Sequence, residues 1–564
     1  MRNIKLNWRY YFILLLITNV FGLLAYKLVH MQTVEYNKLK KEGDNRSERT
    51  LTITAYRGMI SDRNGKPLAI STPVNSIWVN PFYIKSDNLQ LRKILNILDL
   101  DKAQQEAIIT RIKARKERHG FVYLKRQVSP FIAQKVKTLD IKGIEVEREF
   151  KCFYPDAEVM AHVVGFTNID DQGQEGIELE YNRYLTGTDG TRLIHKDLKG
   201  GVARKNDTDK KVKHGTDISL SIDRKLQYIA YKYIKEGVIN NHAEAGSAVV
   251  INVKTGEILA MVNYPSYNPN NMQDAAPNKR RNRVLTDVYE SGSMIKPFAA
   301  IAGMQSGQYD VDTIVDTSPG FYRLNGRTVR DFRNYGEMDL RHILMKSSNV
   351  GISRIILSID ANALGDTLRK FGFGKITKIG FPGERSGYVP SPRKWGDFPL
   401  ATLSFGYGMN ATALQVATAY SAIANRGKLI APTLLKRNKK EDIEAHQVIN
   451  AEIAEKVVDM LTSVVEGSGG TASKARVPRY HVAGKTGTVR KAIAGGYALD
   501  SYMATFVGIA PSSNPQIVTV VVIDDPKGEA YGGGSAAAPI FAQITEHILG
   551  AMCVPADKLE KLND

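Results

Sequence analysis

Ser293-Met294-Ile295-Lys296-Pro297-Phe298 opens an apolar run, Ala299-Ala300-Ile301-Ala302, with the composition of a buried helix. Residues three apart share a helix face, so a helix starting near Ser293 brings the Lys296 amine up to the Ser293 hydroxyl. A serine hydroxyl is a weak nucleophile at neutral pH, and an adjacent base activates it. A lysine can be that base only if burial or nearby positive charge lowers its pKa. Pro297 has no N–H and fits a first helical turn, which places the helix start at Ser293. Backbone N–H groups at that start favour developing negative charge.

Ser-x-x-Lys is a short pattern, and it recurs at Ser391-Pro392-Arg393-Lys394 in a Gly/Pro-rich loop with no apolar helix behind it. Its companions give the first copy its meaning. Ser347-Ser348-Asn349 lies 54 residues beyond Ser293, after the apolar Ile343-Leu344-Met345. Its first serine can relay a proton; its asparagine can donate to an amide carbonyl and help hold the lysine. Lys485-Thr486-Gly487-Thr488 lies a further 138 residues on, in a strand-like segment. Glycine there admits a close backbone approach, and a lysine with flanking hydroxyls suits a carboxylate-ended ligand. An open strand edge can bind an extended peptide as an added strand. Read singly, Ser-x-Asn is a helix cap and Lys-Thr-Gly a turn; the latter recurs as a turn at Lys254-Thr255-Gly256. Gly484-Lys485-Thr486 copies the end of a phosphate-binding loop, but the glycine that loop needs is Arg479. Gly406-Tyr407-Gly408 with Ala411 matches a loose dinucleotide pattern without a βαβ setting and reads as a packing turn.

The 564 residues allow several domains, and 43% hydrophobic residues supply ordinary cores. Two cysteines, Cys152 and Cys553, exclude a disulfide framework and argue against cysteine-held metal. The net charge of +19 would suit nucleic acid or an anionic membrane surface. No zinc spacing and no aromatic-basic recognition stretch stands out, so nucleic acid is set aside.

Arg2, Lys5 and Arg9 precede an uncharged apolar run, Tyr10 to Tyr26, which Lys27 extends to Val29 by snorkelling. That length spans a bilayer. The basic residues predict a cytoplasmic N-terminus, and the lack of a small-residue cleavage site predicts a retained anchor. Asn19 within the span either bonds a partner helix or is satisfied locally. Residues 30–50 are polar and helix-compatible. Leu51 to Ala55 alternates as a strand, and Arg57 to Ala69 reads as strand, Asn64-Gly65 turn, strand. Residues 88–119 are helical in pattern with a basic end; a second basic run covers Lys196 to Lys213. Both read as solvated faces or linkers. Asp217 to Ile222 is strand-like, Lys225 to Val238 helical, and Gly246 to Tyr264 a hairpin. Residues 340–424 are helical segments broken by Gly/Pro loops. Strands follow around His481 to Val489, Tyr502 to Ala510 and Ile517 to Asp524, then an Ala-rich helix, Ser535 to Leu549. Two strands at the start, three at the end and helices between predict one antiparallel sheet with helices on both faces.

Ser-x-x-Lys, Ser-x-Asn and Lys-Thr-Gly-Thr in this order and spacing resemble the class B penicillin-binding proteins, over essentially the whole chain. Arg57 to Ala69, Phe153-Tyr154-Pro155 with Ala161-His162 and Gly165, and Glu175-Gly176-Ile177-Glu178 resemble that family's pedestal motifs. The short pedestal and Trp78-Val79-Asn80-Pro81 resemble its septal branch. Ser291 stands where the family usually has proline. The resemblance implies an α+β chain: residues 1–9 a cytoplasmic tail, 10–29 a transmembrane helix, 30–215 an elongated α/β pedestal of the dimerisation type, 216–550 a transpeptidase domain with a five-stranded antiparallel sheet flanked by helices, and 551–564 a tail. It implies a peptidoglycan D,D-transpeptidase of the bacterial inner membrane, working without a cofactor or metal at the division septum and inhibited by β-lactams. Ser293 would attack a stem peptide ending in D-Ala-D-Ala, with Lys296 as base. Ser347 and Lys485 would pass the proton, Asn349 would hold the acyl amide, and Thr486, Gly487 and Thr488 would line the carboxylate site. Backbone N–H groups of Ser293 and Thr488 would form the oxyanion hole. The implied partners are the glycosyltransferase FtsW and the division proteins FtsQ, FtsL, FtsB and FtsN. An elongation-type transpeptidase and a D,D-carboxypeptidase are the alternatives. A β-lactamase is disfavoured, because its usual glutamate follows the nucleophile and the similar string here, Glu178 to Asn182, precedes it.

Overall fold

The computed structural model describes residues 7–84, 89–115, 120–196, 202–205, 210–391, 396–438, 442–493, 495–528 and 531–558. Part of the second copy of Ser-x-x-Lys, half of the Lys196–Lys213 run and the two chain ends fall outside them. Two compact units emerge, Met1–Tyr56 with Gly187–Gly215, and Arg57–Thr186 with Thr216–Asp564.

In the first unit a 26-residue helix, Trp8–Thr33, contains an 18-residue window of mean hydropathy 2.1 and has no buried residue. At 1.5 Å per residue it is about 39 Å long, enough to cross a bilayer as a single-pass anchor. The Asn19 amide donates to the Leu15 carbonyl at 3.0 Å, so this polar group is satisfied within its own helix. A second helix, Tyr36–Ser47, occupies the polar stretch that follows. The strand Glu48–Ile53 then pairs antiparallel with Gly190–Lys196, which pairs with Val202–Lys205.

Among the described residues the second unit holds two five-stranded sheets and three two-stranded ones. In the smaller of the five-stranded sheets, the long strand Pro67–Val79 pairs with Ile60–Ser61 across the Asn64-Gly65 turn, and with Val122–Val128 and Ile144–Phe153. The expected strand at 217–222 is only Ile218–Ser219, and it joins this sheet, running parallel to Ile60–Ser61. The helical stretch at 88–119 is two helices, Leu89–Ile97 and Lys102–Ala114; Asp99 between them is left-handed, and Asp101 caps the second. Below this sheet the three stretches Arg57–Ala69, Phe153–Gly165 and Glu175–Glu178 converge. The Arg57 guanidinium meets the Glu178 carboxylate at 2.6 Å with both side chains 1% exposed. Arg57 also donates to Asn182, Thr186 and the carbonyls of Asp171 and Glu178. The Tyr154 hydroxyl donates to the other Glu178 oxygen. Burial pushes the Glu178 carboxyl up, and Arg57 opposes it. Such a pair needs this full set of partners to offset its desolvation.

The larger sheet is built from β1 (Ala245–Asn252), β2 (Ile258–Tyr264), β3 (Ala483–Ile493), β4 (Gly496–Ala510) and β5 (Ile517–Asp524), in the order β2-β1-β5-β4-β3. Every pairing is antiparallel. Ile517-Val-Thr-Val-Val-Val-Ile-Asp is β-branched almost throughout, which suits a pleated strand, and all eight positions are buried. A central strand buried on both faces requires cover on both. The helices Arg224–Asn240 and Ala538–Ala551 pack against each other and the sheet, and Ala413–Ala424, buried at every residue, also packs on it. β3 is left at the sheet edge, beside the Ser293 segment.

Candidate active site

The nucleophile segment begins as a single 3-10 turn, Gly292–Ile295, and continues as helix α1, Lys296–Gln305, with Pro297 in its first turn. Three neighbours fix the turn. Gly292 is left-handed (φ 54°), and its N–H donates to the Gly406 carbonyl at 3.3 Å. A Cβ on Gly406 would sit 2.1 Å from the Gly292 carbonyl oxygen, so the Gly406-Tyr407-Gly408 turn packs backbone to backbone beneath the nucleophile. The fully buried Tyr420 donates its hydroxyl to the Met294 carbonyl at 2.7 Å. From the other side a Cβ on Gly487 would meet Thr505 Oγ1 at 2.3 Å and the Ser291 carbonyl at 3.2 Å, which explains glycine at the centre of Lys-Thr-Gly.

Ser347 joins helix α2 (Leu340–Lys346) to helix α3 (Asn349–Leu357) in a left-handed conformation, φ 57°. Its hydroxyl and carbonyl both turn toward Lys296. Lys296 Nζ donates to the Ser347 carbonyl and to Ser347 Oγ at 2.9 Å. Ser347 Oγ donates to Ser293 Oγ at 3.1 Å, and Lys485 Nζ donates to Ser347 Oγ at 3.1 Å. The expected direct approach of Lys296 to Ser293 is therefore corrected: the amine's hydrogen bonds run to Ser347, which in turn reaches the nucleophile. A lysine side chain is long enough to follow the αL corner instead of folding back along its own turn.

Both lysines are completely buried. Burial pushes the Lys296 amine well below its ordinary value; the nearby Lys485 charge adds to this, and Asp331 opposes it. Burial alone brings Lys485 down to about 7. Two ammonium groups on one hydroxyl, both out of water, favour a neutral amine at one of them. Ser293, Ser347 and the two buried lysines thus form one hydrogen-bonded chain in which burial disfavours the charge on each amine.

Asp331 has no signal in the sequence. One oxygen accepts from the Ser348 hydroxyl at 2.5 Å; the other accepts from the N–H groups of Asn349 and Val350. It thereby occupies the N-terminus of α3, where a carboxylate is favoured, and fixes the Ser-x-Asn corner. Ser348 also caps α3 through Gly351 N–H. The Asn349 Nδ2 donates to the Arg330 carbonyl at 2.9 Å, which ties the Ser-x-Asn corner to the segment before Asp331. On β3, Lys485 and Gly487 are buried, Thr486 is half-buried and Thr488 is exposed. Thr488 Oγ1 accepts from Gly533 N–H at 2.9 Å, which leaves its own proton to donate. The eight residues singled out in the sequence thus lie on the 292–305 segment, the α2–α3 corner and the edge strand, and these three elements meet.

Residues 52–220 match the family described as penicillin-binding protein dimerisation domain, and residues 246–546 match the penicillin binding protein transpeptidase domain. The chain is 41% identical over 553 residues to a protein of Pseudomonas aeruginosa named probable peptidoglycan D,D-transpeptidase PbpC, covering 98% of this chain and 97% of that one. It is 39% identical over 560 residues to peptidoglycan D,D-transpeptidase FtsI of Escherichia coli K12, covering 98% and 93%. Among solved structures it is similar to penicillin binding protein 3 of Mycobacterium tuberculosis complexed with aztreonam, with TM-score 0.69, 28% identity, and 90% and 98% of the two chains covered. The transpeptidase domain of Burkholderia pseudomallei penicillin-binding protein 3 matches 60% of this chain and 98% of that one, with TM-score 0.56 and 37% identity. A shared hydroxyl between two buried lysines, on a sheet and a pedestal that both match, leads to one family: the chain belongs to the penicillin-binding proteins, of the type that joins a dimerisation domain to a transpeptidase domain.

Proposed function

We propose that this chain is a serine D,D-transpeptidase that cross-links peptidoglycan stem peptides during septal wall synthesis. The observation that carries the reading is the chain of hydrogen bonds from Ser293 through Ser347 to Lys296 and Lys485. Ser293 Oγ attacks the penultimate D-alanine carbonyl, and its proton passes by way of Ser347 to the neutral Lys296. The N–H groups of Ser293 and Thr488 receive the oxyanion; losing one such donor typically costs about 3 kcal/mol. Collapse breaks the peptide bond, and Ser347 with Lys485 returns a proton to the leaving D-alanine amine. Asn349 holds the acyl amide, and Thr486 and Thr488 hold the terminal carboxylate beside Gly487. The amine of a second stem peptide then displaces Ser293 from the ester, forming the cross-link and restoring the hydroxyl. A β-lactam acylates the same oxygen.

In this reading residues 1–9 are cytoplasmic, 10–29 cross the inner membrane, 30–215 form the pedestal, 216–550 the periplasmic transpeptidase domain and 551–564 a tail. FtsW, FtsQ, FtsL, FtsB and FtsN are its partners, on the strength of the resemblance to FtsI. The test is reaction of the purified full chain and a glycosyltransferase with lipid-linked pentapeptide precursor. Cross-linked stem dimers that disappear in Ser293→Ala support the reading. Tetrapeptides without cross-links would replace it with a carboxypeptidase.

A further inference from the structure

Beside Asn349 stands a short hairpin, Phe321–Leu324 paired with Arg327–Arg330 across Asn325-Gly326. Both turn residues have positive φ, 48° and 79°, which gives the tight turn that suits strand twist. Leu324 and Val329 turn inward and are buried; Phe321 and Arg330, directly opposite each other, are exposed with Arg323 on the same face. The chain then runs through Asp331 to Phe332, 97% exposed, and Arg333. Among the described residues neither Arg323, Arg330 nor Arg333 forms an ion pair; Arg323 lies over the Phe321 ring at 5.8 Å and Arg333 over Tyr335 at 5.2 Å. The one carboxylate in the segment, Asp331, is already engaged by Ser348, Asn349 and Val350. The exposed face therefore carries unneutralised guanidinium groups and, at Phe332, an uncovered aromatic ring. Asn349 on the Arg330 carbonyl ties it to the candidate active site.

We propose that this arm is a binding surface for the glycan strand whose stem is being cross-linked, a proposal that rests on the transpeptidase reading above. A peptidoglycan strand presents free carboxylates along its stems and apolar sugar faces along its backbone. Guanidinium groups pair carboxylates in a planar fork, and exposed rings beside them accept sugar faces. The arm adds strand affinity outside the acyl pocket and leaves the Ser293 centre unchanged.

The test compares full-length wild type with Arg323→Gln/Arg333→Gln. Binding of fluorescent, uncross-linked glycan strands bearing pentapeptide stems is followed by anisotropy. The variant is expected to bind about 10-fold more weakly, with a shallower salt dependence, as two lost charge contacts require. Acylation by a fluorescent penicillin, measured in parallel, stays at the wild-type rate and certifies the fold and the Ser293 centre. Strand binding equal to wild type overturns the proposal. So does loss of binding to phosphatidylglycerol vesicles with strand binding intact, which would make the arm a membrane contact. A wild-type protein that is never acylated by penicillin sinks the transpeptidase reading instead, so the two failures are distinct. Should the double variant misfold, Arg323→Gln alone gives the same readout at smaller amplitude.

Discussion

Replacing Gly406 by alanine tests how the nucleophile is held, because Gly408 in the same turn provides a matched control. Both glycines are left-handed, φ 88° and 76°. An alanine at either position takes a backbone penalty of about 1–2 kcal/mol. Only position 406 collides. Its Cβ would lie 2.1 Å from the Gly292 carbonyl oxygen and 2.5 Å from the Gly292 nitrogen, whereas a Cβ on Gly408 meets nothing within 4 Å. The atoms in the way are backbone, so relief requires the 292–295 turn or the 406–408 turn to move by roughly an ångström, a misplacement worth about 100-fold in rate. Overpacking adds about 1–3 kcal/mol of destabilisation. Gly406→Ala should therefore lower the second-order rate of penicillin acylation about 100-fold and reduce Tm, while Gly408→Ala loses only a little stability and acylates within about threefold of wild type. Stopped-flow acylation with a fluorescent penicillin and thermal unfolding of the three proteins measure both. Equal acylation by the two variants would refute the claim that backbone contact with Gly406 positions Ser293.

Ser347→Ala removes the hydroxyl shared by both lysines and should slow acylation about 10²–10⁴-fold, the range for loss of a proton-transfer group, with little change in Tm. Glu178→Gln leaves Arg57 buried without its counter-ion and should cost about 3–5 kcal/mol in denaturant unfolding, while the folded fraction acylates normally. The acylation rate should climb with pH as Lys296, whose amine burial and the Lys485 charge hold well below its ordinary value, loses its proton, and should fall as Lys485, which burial brings down to about 7, loses the proton it supplies to the leaving group, the two limbs belonging to the coupled lysine pair. Stability should follow the same groups. Lys485 titrates near 7 when folded and at 10.5 when free, so between those values the unfolded chain holds a proton that the folded chain lacks. Stability therefore rises with pH across that window, and the penalty is complete below it. Lys485→Met lacks this dependence, so its stability advantage over wild type should shrink between pH 7 and 10, which urea unfolding at several pH values checks.

The larger sheet was legible because its strands announce themselves by β-branched runs and turn residues, and because two strands early and three late leave few antiparallel orders. The meeting of Ser293, Ser347 and Lys485 was legible only through the three motifs taken together; no local period brings residues so far apart in sequence into contact. Other features were hidden for physical reasons. Helical spacing puts Ser293 and Lys296 on one face, but whether the amine stops at Ser293 or continues to Ser347 depends on the αL corner at 347. Asp331 caps a helix that begins 18 residues later, so ordinary capping patterns, which look at adjacent residues, miss it. Ile218–Ser219 has the composition of a strand but not its sheet, since register with Ile60–Ser61 is set by tertiary packing. Gly406 reads as a packing turn in the sequence; the structure adds that its packing partner is Gly292.

Every step of the proposed reaction requires Ser293 Oγ to be the acylated oxygen. Peptide mapping by mass spectrometry after brief exposure of the full chain to penicillin tests this directly. One stable penicilloyl adduct is expected, on the peptide containing Ser293 and absent in Ser293→Ala. An adduct on another residue, or one that persists in Ser293→Ala, would contradict it.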